Sequence, residues 1–285
     1  MLNDWIERYM ARSAPSSTAL LRLAFGDQQL AQGQTIWLRD LIALMKPFRF
    51  SERLTRTSVS RLVQQGWLTP RRQGRHAAYA IASSIGEQAA APWRCTAASP
   101  QWPWKGEWTL VINAPADDGA LPAAQLRSAL VRQGYGVLAP NVLARPVADC
   151  GTPAIDAGSQ PLDSQVPVIR LNGTQMAELP PLRRLAQDAW NLATPRMNYE
   201  RFLTQFDGLH ELLAQGEKPS PETAFLIRML AVHSYCKARL CDPLLPAEFL
   251  PESWPAMQAY QLLHELDGST ADTASQYWRS VVTAH

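Results

Sequence analysis

The sequence predicts an α+β multidomain protein with an N-terminal winged helix-turn-helix, a small central ferredoxin-like α/β domain and a C-terminal helical domain. Three observations predict it. Residues 51–81 read as a basic helix followed by a basic hairpin, and two shorter helical patterns precede them. Residues 107–188 alternate between strand and helix patterns. From Ala189 onward the apolar spacing is helical throughout. At 285 residues, with 46% hydrophobic and 18% charged residues, the chain suits two or three globular domains rather than a disordered segment. The expected divisions are 1–90 for the winged helix, 91–188 for a linker plus the ferredoxin-like domain, and 189–285 for the helical domain.

In the first segment, residues 1–12 have Trp5, Ile6 and Tyr9 on one helical face, which suits an amphipathic arm that packs on a neighbour or frays. Pro15-Ser16-Ser17-Thr18 provides a helix start. Leu20, Leu21, Ala24 and Phe25 follow at helical spacing, and Gly26-Asp27 is the stop. Thr35-Ile36-Trp37 suits a short strand, and residues 38–45 a second helix closed by Pro47. Helix 51–64 opens on Ser51, a good N-cap, with Glu52 at the positive end of the helix dipole. Leu54, Ser58 and Leu62, with Val59 and Val63, are read as its inward stripe. Gly66 ends it, since a glycine adopts the left-handed C′ conformation without strain. A strand from Trp67-Leu68, a turn at Gln73-Gly74 and a return through Ala78-Tyr79-Ala80-Ile81 complete the hairpin.

Residues 83–105, rich in Ala, Ser and Pro, read as a linker anchored by Trp93, Trp102 and Trp104. The central segment then offers strands at 107–113, 135–143 and 166–171 and a helix at 123–133. A further helical pattern at 174–188 is broken or bent by Pro180-Pro181. Residues 147–165, rich in Gly, Pro, Asp and Ser, read as a loop or degenerate helix. The third segment carries Tyr199, Phe202, Phe206, Leu209 and Leu213 on one amphipathic helix. A helix at 222–240, apolar on most sides, is expected to be central to its bundle. Two shorter helices follow at 257–266 and 273–282.

Charge separates these segments. The net charge of the whole chain is only +2, but residues 1–90 hold 12 Arg and Lys against 6 Asp and Glu, a net of +6 that leaves −4 for the rest. A basic head on a mildly acidic body suits a nucleic-acid-binding module. Arg53, Arg56, Thr57, Ser60 and Arg61 are the candidates for a groove-facing helix side, because arginine reads guanine bidentately and hydroxyls serve phosphate or base. Arg71, Arg72, Arg75 and His76 on the hairpin are expected to meet phosphate or the minor groove. The expected partner is double-stranded DNA. A second reading keeps the winged helix but has it bind protein, with the body as a scaffold or small-molecule sensor.

Other chemistries find little support. The chain has no GxxxxGK[ST], GxGxxG or GxSxG motif. His233, Cys236 and Cys241 lack a fourth ligand at a recognised spacing, so neither a metal nor a cofactor is expected. Acids near them form no general acid/base pair, and no enzyme is predicted. The four cysteines form no CxxC pair, which suits a reducing cytoplasm, and no apolar run is long enough for a signal peptide or membrane span.

The order of motifs resembles the PaaX family of phenylacetate-catabolism repressors. In the head the resemblance lies in Phe25-Gly26-Asp27, Trp37-Leu38, Pro47-Phe48, Glu52-Arg53-Leu54-Thr55-Arg56-Thr57-Ser58-Val59, Arg61-Leu62 and Gly66-Trp67-Leu68. The middle has Trp108-Thr109-Leu110-Val111, Gly134-Tyr135-Gly136 and Leu138-Ala139-Pro140-Asn141-Val142. The last part has Asp242-Pro243, Leu245-Pro246-Ala247-Glu248, Leu250-Pro251 and Trp254-Pro255. The resemblance implies a homodimeric, operator-binding repressor released from DNA by an aryl-acyl-CoA such as phenylacetyl-CoA. The family usually shows His-Glu-Tyr-Arg where this chain has His233-Ser234-Tyr235-Cys236. A CoA thioester needs cations for its phosphates, and Arg228, His233, Lys237 and Arg239 are the candidates.

Overall fold

A computed structural model describes residues 1–26, 35–73, 76–104, 106–112, 123–147, 168–172 and 179–282. Among these residues lie ten α-helices and two antiparallel sheets, so the chain is α+β. It divides into two compact units. One comprises Met1–Ala98, Tyr199–Ala238 and Gln258–His285, the other Ser99–Asn198 and Arg239–Met257.

The first unit begins with α1 (Leu2–Ser13), whose Trp5 and Tyr9 are buried. Both rings meet Phe206 of α8 (Ala193–Ala214), at 5.2 and 5.3 Å between centroids, and Trp5 Nε1 donates to the Gln205 carbonyl at 3.1 Å. The arm is therefore part of the core, held by aromatic burial and a satisfied indole. Next come α2 (Ser17–Phe25), the short strand β1 (Ile36–Trp37), α3 (Leu38–Met45) and α4 (Glu52–Gln64). Strands β2 (Leu68–Gln73) and β3 (His76–Ile81) form a ribbon, and β1 adds to β3 to give the order β1-β3-β2.

Two sequence expectations are corrected in this unit. Most of the linker expected at 83–105 is helical, as α5 (Gly86–Ala97). Alanine is the best helix former, and the helix has a docking place to offset the cost of Pro92 within it. Trp93 Nε1 donates to the Leu23 carbonyl at 2.9 Å, and a Cβ at Gly26 would lie 2.1 Å from the Ala89 carbonyl oxygen. The bare glycine is what lets α5 close on α2. The two terminal helices expected at 257–266 and 273–282 are one helix, α10 (Ala256–Val281). The polar run between them stays helical, with the Ser269 and Thr270 hydroxyls donating to carbonyls four residues back. Alongside it α9 (Pro221–Arg239) is buried over most of its middle, as its apolar composition predicts.

The second unit is built on a four-stranded sheet of order β5-β6-β4-β7, all pairs antiparallel. Its strands are β4 (Glu107–Ile112), β5 (Gly136–Ala139), β6 (Val142–Pro146) and β7 (Val168–Asn172). The single strand expected at 135–143 is instead a hairpin turning at Pro140-Asn141, both strong turn formers. Helix α6 (Ala123–Arg132) lays Leu126 and Leu130 against Val111 and Leu143. Helix α7 (Leu179–Ala189) starts at the diproline rather than being broken by it, since a first helical turn has no N–H bonds to lose. The loop expected at 147–165 falls almost wholly outside the described residues.

Trp190 follows α7, and its ring lies against the backbone of Gly136. A Cβ there would sit 2.3 Å from the indole. Gly136→Ala is therefore expected to cost about 1–3 kcal/mol by overpacking, measured by chemical denaturation. A change within about 0.5 kcal/mol, the range of an ordinary surface substitution, would contradict the packing described.

Candidate nucleic-acid interface

Local sequence explains why α4 stands where it does. The Ser51 hydroxyl accepts from the Leu54 N–H at 3.2 Å and caps the first turn. At the other end Gly66 takes φ 70°, and the Trp67 and Gly66 N–H groups donate to the Leu62 and Val63 carbonyls, a glycine-based stop. Arg22 of α2 braces that end, donating to Gln65 at 2.8 Å and stacking 4.6 Å over the Trp67 ring. Both ends of the helix are thus fixed by specific contacts, and its outer face is presented on a rigid element.

The buried residues of α4 are Thr55, Ser58, Val59 and Leu62. Leu54, expected inside, is 43% exposed, whereas Thr55 is fully buried and donates to the Ser51 carbonyl. The spacing 55, 58/59, 62 is already a complete helical stripe, and the 54–58 spacing that suggested otherwise lies one residue round the helix. Leu54 thus joins the outer side. The signal was in the sequence, but a leucine outranked a threonine as a core choice.

Arg53, Arg56, Thr57, Ser60 and Arg61 are all exposed on that outer side, together with Gln64. Arg56 pairs with Glu52 one turn earlier at 2.7 Å. An exposed pair of this kind is worth well under about 1 kcal/mol, so it orients the guanidinium without committing it. The Thr57 hydroxyl donates to the Arg53 carbonyl at 2.9 Å, which leaves its lone pairs outward. In the ribbon, Arg71 is exposed opposite Ala78, and Arg72 and His76 occupy register positions near the tip, opposite Ala77 and Gln73. Arg75, and the side chains of Arg72 and His76, lie outside what the structure describes.

The four cations expected for an effector do not gather in one place. At 100° per residue, Arg228 and Arg239 fall on one side of α9, His233 and Lys237 on nearly the opposite side. Arg228 binds Asp267 at 2.7 Å and stacks 4.4 Å over Trp93. Arg239 is buried and donates to the Ser99 carbonyl at 3.3 Å. Lys237 is exposed, and His233 is half-buried.

Comparison with known proteins identifies the family of the chain. The model described as PaaX-like protein matches residues 18–85, and that of the PaaX-like protein C-terminal domain matches residues 190–280. The transcriptional repressor PaaX of Escherichia coli (strain K12) is 31% identical over 269 residues, covering 92% of this chain and 82% of that protein. This chain belongs to the PaaX family. A solved structure, an uncharacterized protein from Mycobacterium tuberculosis, shares the fold with a TM-score of 0.55 at 21% identity, covering 91% of this chain and 97% of that one.

Several PaaX-like motifs now have physical reasons. Gly26 admits α5, Gly136 admits the Trp190 ring, and Gly134 takes φ 86° at the turn between α6 and β5. His233, in the stretch that departs from the family pattern, has its pKa lowered from the ordinary 6.5 by burial, with the nearby Lys237 charge adding to the effect. The unfolded chain therefore takes up a proton at this site before the folded one does. Stability is expected to be full above about pH 6.5 and to fall as the pH drops from there toward the lowered value. His233→Gln should flatten the fall in Tm between about pH 7 and 5. An unchanged slope would show that other groups set the acid sensitivity.

Proposed function

We propose that this PaaX-family chain is a DNA-binding transcriptional repressor of an aromatic-acid, phenylacetate-type catabolic operon. The observation that carries the reading is the outer face of α4, which holds Arg53, Arg56, Thr57, Ser60 and Arg61 on a helix capped at both ends. The order α2, α3, α4, β2, β3, with β1 closing on β3, supports a winged helix-turn-helix. In that reading α4 enters the major groove, and Arg71, Arg72, Arg75 and His76 of the ribbon meet the backbone or minor groove. The β5-β6-β4-β7 order with α6 between β4 and β5 supports a ferredoxin-like central domain. The two matched regions, 18–85 and 190–280, fit a three-part division of function at 1–90, 91–188 and 189–285.

A relative named as a transcriptional repressor, covered over four-fifths of its length, favours regulation over catalysis. Such a regulator works in the cytoplasm, and no described helix is long and apolar enough to cross a membrane. As a homodimer it would present two copies of α4 to a two-fold operator, and an aryl-acyl-CoA such as phenylacetyl-CoA would release it. The test is electrophoretic mobility of the upstream intergenic DNA with purified protein at low salt, with and without phenylacetyl-CoA. A specific shift, lost on adding the thioester, is the expected result. No shift at low salt would instead favour a winged helix that binds protein. A thermal-shift series of aryl-acyl-CoA esters against free acids checks the effector half separately, because specific binding raises apparent stability.

A further inference from the structure

Leu54 stands apart from the other apolar side chains of the first unit. Among the described residues of that unit, the large exposed apolar side chains are Met1, at the chain start, and Leu54, 43% exposed. A lone exposed leucine is ordinary on a protein surface, so exposure by itself decides nothing. Its position says more. Leu54 is the third residue of α4, and its own N–H donates to the Ser51 hydroxyl at 3.2 Å in the capped first turn. Its backbone is therefore held at a fixed end of the helix. The first turns of a recognition helix are also the part that reaches base edges.

Helical spacing sets its neighbours. At 100° per residue, Leu54 lies about 60° from Thr57 and about 20° from Arg61, roughly one and two turns further along. All three are exposed. The core side of α4 is already filled by Thr55, Ser58, Val59 and Leu62. Leu54 is thus an apolar point on a face whose other members are basic or hydroxyl-bearing. A duplex offers one partner for such a point. Major-groove edges carry hydrogen-bond donors and acceptors at every base pair, and their single apolar group is the C5 methyl of thymine. Against that methyl, a leucine removes apolar surface from water on both sides of the contact. Against adenine, guanine or cytosine it would cover polar edge atoms without offering them a partner. The same side chain therefore favours thymine and rejects the alternatives.

We infer that Leu54 is a specificity-determining residue that packs on a thymine C5 methyl in the major groove of the operator. As a groove contact this rests on the repressor reading, and it names a base which that reading leaves open. The arginines beside it supply charge and hydrogen bonds, and Leu54 adds the apolar element they lack. Thr57 carries the other methyl on the same stripe, but its side chain is tied back to the Arg53 carbonyl. Leu54 has the longer reach and the larger apolar surface.

Uracil interference with the full-length protein tests it. Upstream intergenic DNA in which thymine is sparsely replaced by deoxyuridine, which lacks only the methyl, is partitioned into bound and free fractions. The uracil positions in each fraction are then mapped. The wild type should show at least one position where loss of the methyl weakens binding about fourfold, the worth of one buried carbon group. In Leu54→Ala that penalty should fall below about twofold, with Tm kept because the side chain lies outside the core. Leu54→Met, still apolar and long, should retain it. Arg71→Ala, a ribbon variant, should weaken binding and leave the pattern unchanged. A pattern erased in Arg71→Ala as well would make the change a consequence of weak binding and overturn the assignment. A penalty kept in Leu54→Ala but lost in Thr57→Ser would move the contact to Thr57 and likewise overturn it. If the wild type binds specifically but shows no interfering thymine, or a pattern identical to that of Leu54→Ala, the assignment falls while the repressor reading stands. No specific binding by the wild type would overturn both.

Discussion

Replacing Arg53 and Arg61 together by alanine is expected to weaken binding to the upstream DNA by about 5- to 150-fold for each arginine that reads a base. A bidentate arginine–guanine contact is worth about 1–3 kcal/mol, and tenfold in affinity corresponds to about 1.4 kcal/mol. The two residues are eight apart on one helix, about 12 Å at 1.5 Å per residue, far enough for their effects to add. Both are exposed, so the fold should hold to within about 0.5 kcal/mol. Fluorescence anisotropy on operator-length duplexes measures the loss, and a series of single base-pair changes separates the roles. An arginine that reads a base loses its preference at one position, whereas one that meets phosphate loses affinity evenly across sequences. Unchanged affinity in the double variant would remove α4 from the interface.

Phe206→Ala is expected to cost about 3–5 kcal/mol. The ring is fully buried, 4.8 Å from Phe202 and just over 5 Å from both Trp5 and Tyr9. Its removal leaves a cavity that rigid aromatic neighbours cannot collapse into, and it takes away the surface that orders α1. Urea denaturation measures the loss, with faster amide exchange in residues 2–13 as its local sign. Leu54→Ala is the matched control: although also an apolar truncation, it should change stability by no more than about 0.5 kcal/mol, because Leu54 lies on the outer side of α4. A small loss for Phe206→Ala beside a large one for Leu54→Ala would reverse the packing described.

The elements most legible in the sequence were those whose signals are local. Ser51 as a cap and Gly66 as a stop bound α4, and residues 38–45 bound α3 as the apolar spacing predicts. Tertiary docking decided what local signals could not. The stretch around Trp93 carries opposed local signals, alanines that favour a helix and Pro92 that opposes one, and the partner that decides between them is the bare backbone at Gly26. The continuity of α10 through Gly268, Ser269 and Thr270 likewise comes from hydroxyls bonding along the helix rather than leaving it. On α4 the exposure of the basic side chains was legible from type and spacing, while Leu54 was misplaced because burial was judged from hydrophobicity alone.

The most direct test of the central claim is the salt dependence of binding to the upstream intergenic DNA, wild type beside the Arg53/Arg61 double variant. Each phosphate neutralised should contribute about −0.9 to the slope of log affinity against log salt concentration. The account predicts specific binding at low salt, a steep negative slope for the wild type, and weaker binding by the variant. Its slope should be shallower by about one for each arginine that meets phosphate. Absence of binding at low salt, or a shallow slope identical in both proteins, would contradict it.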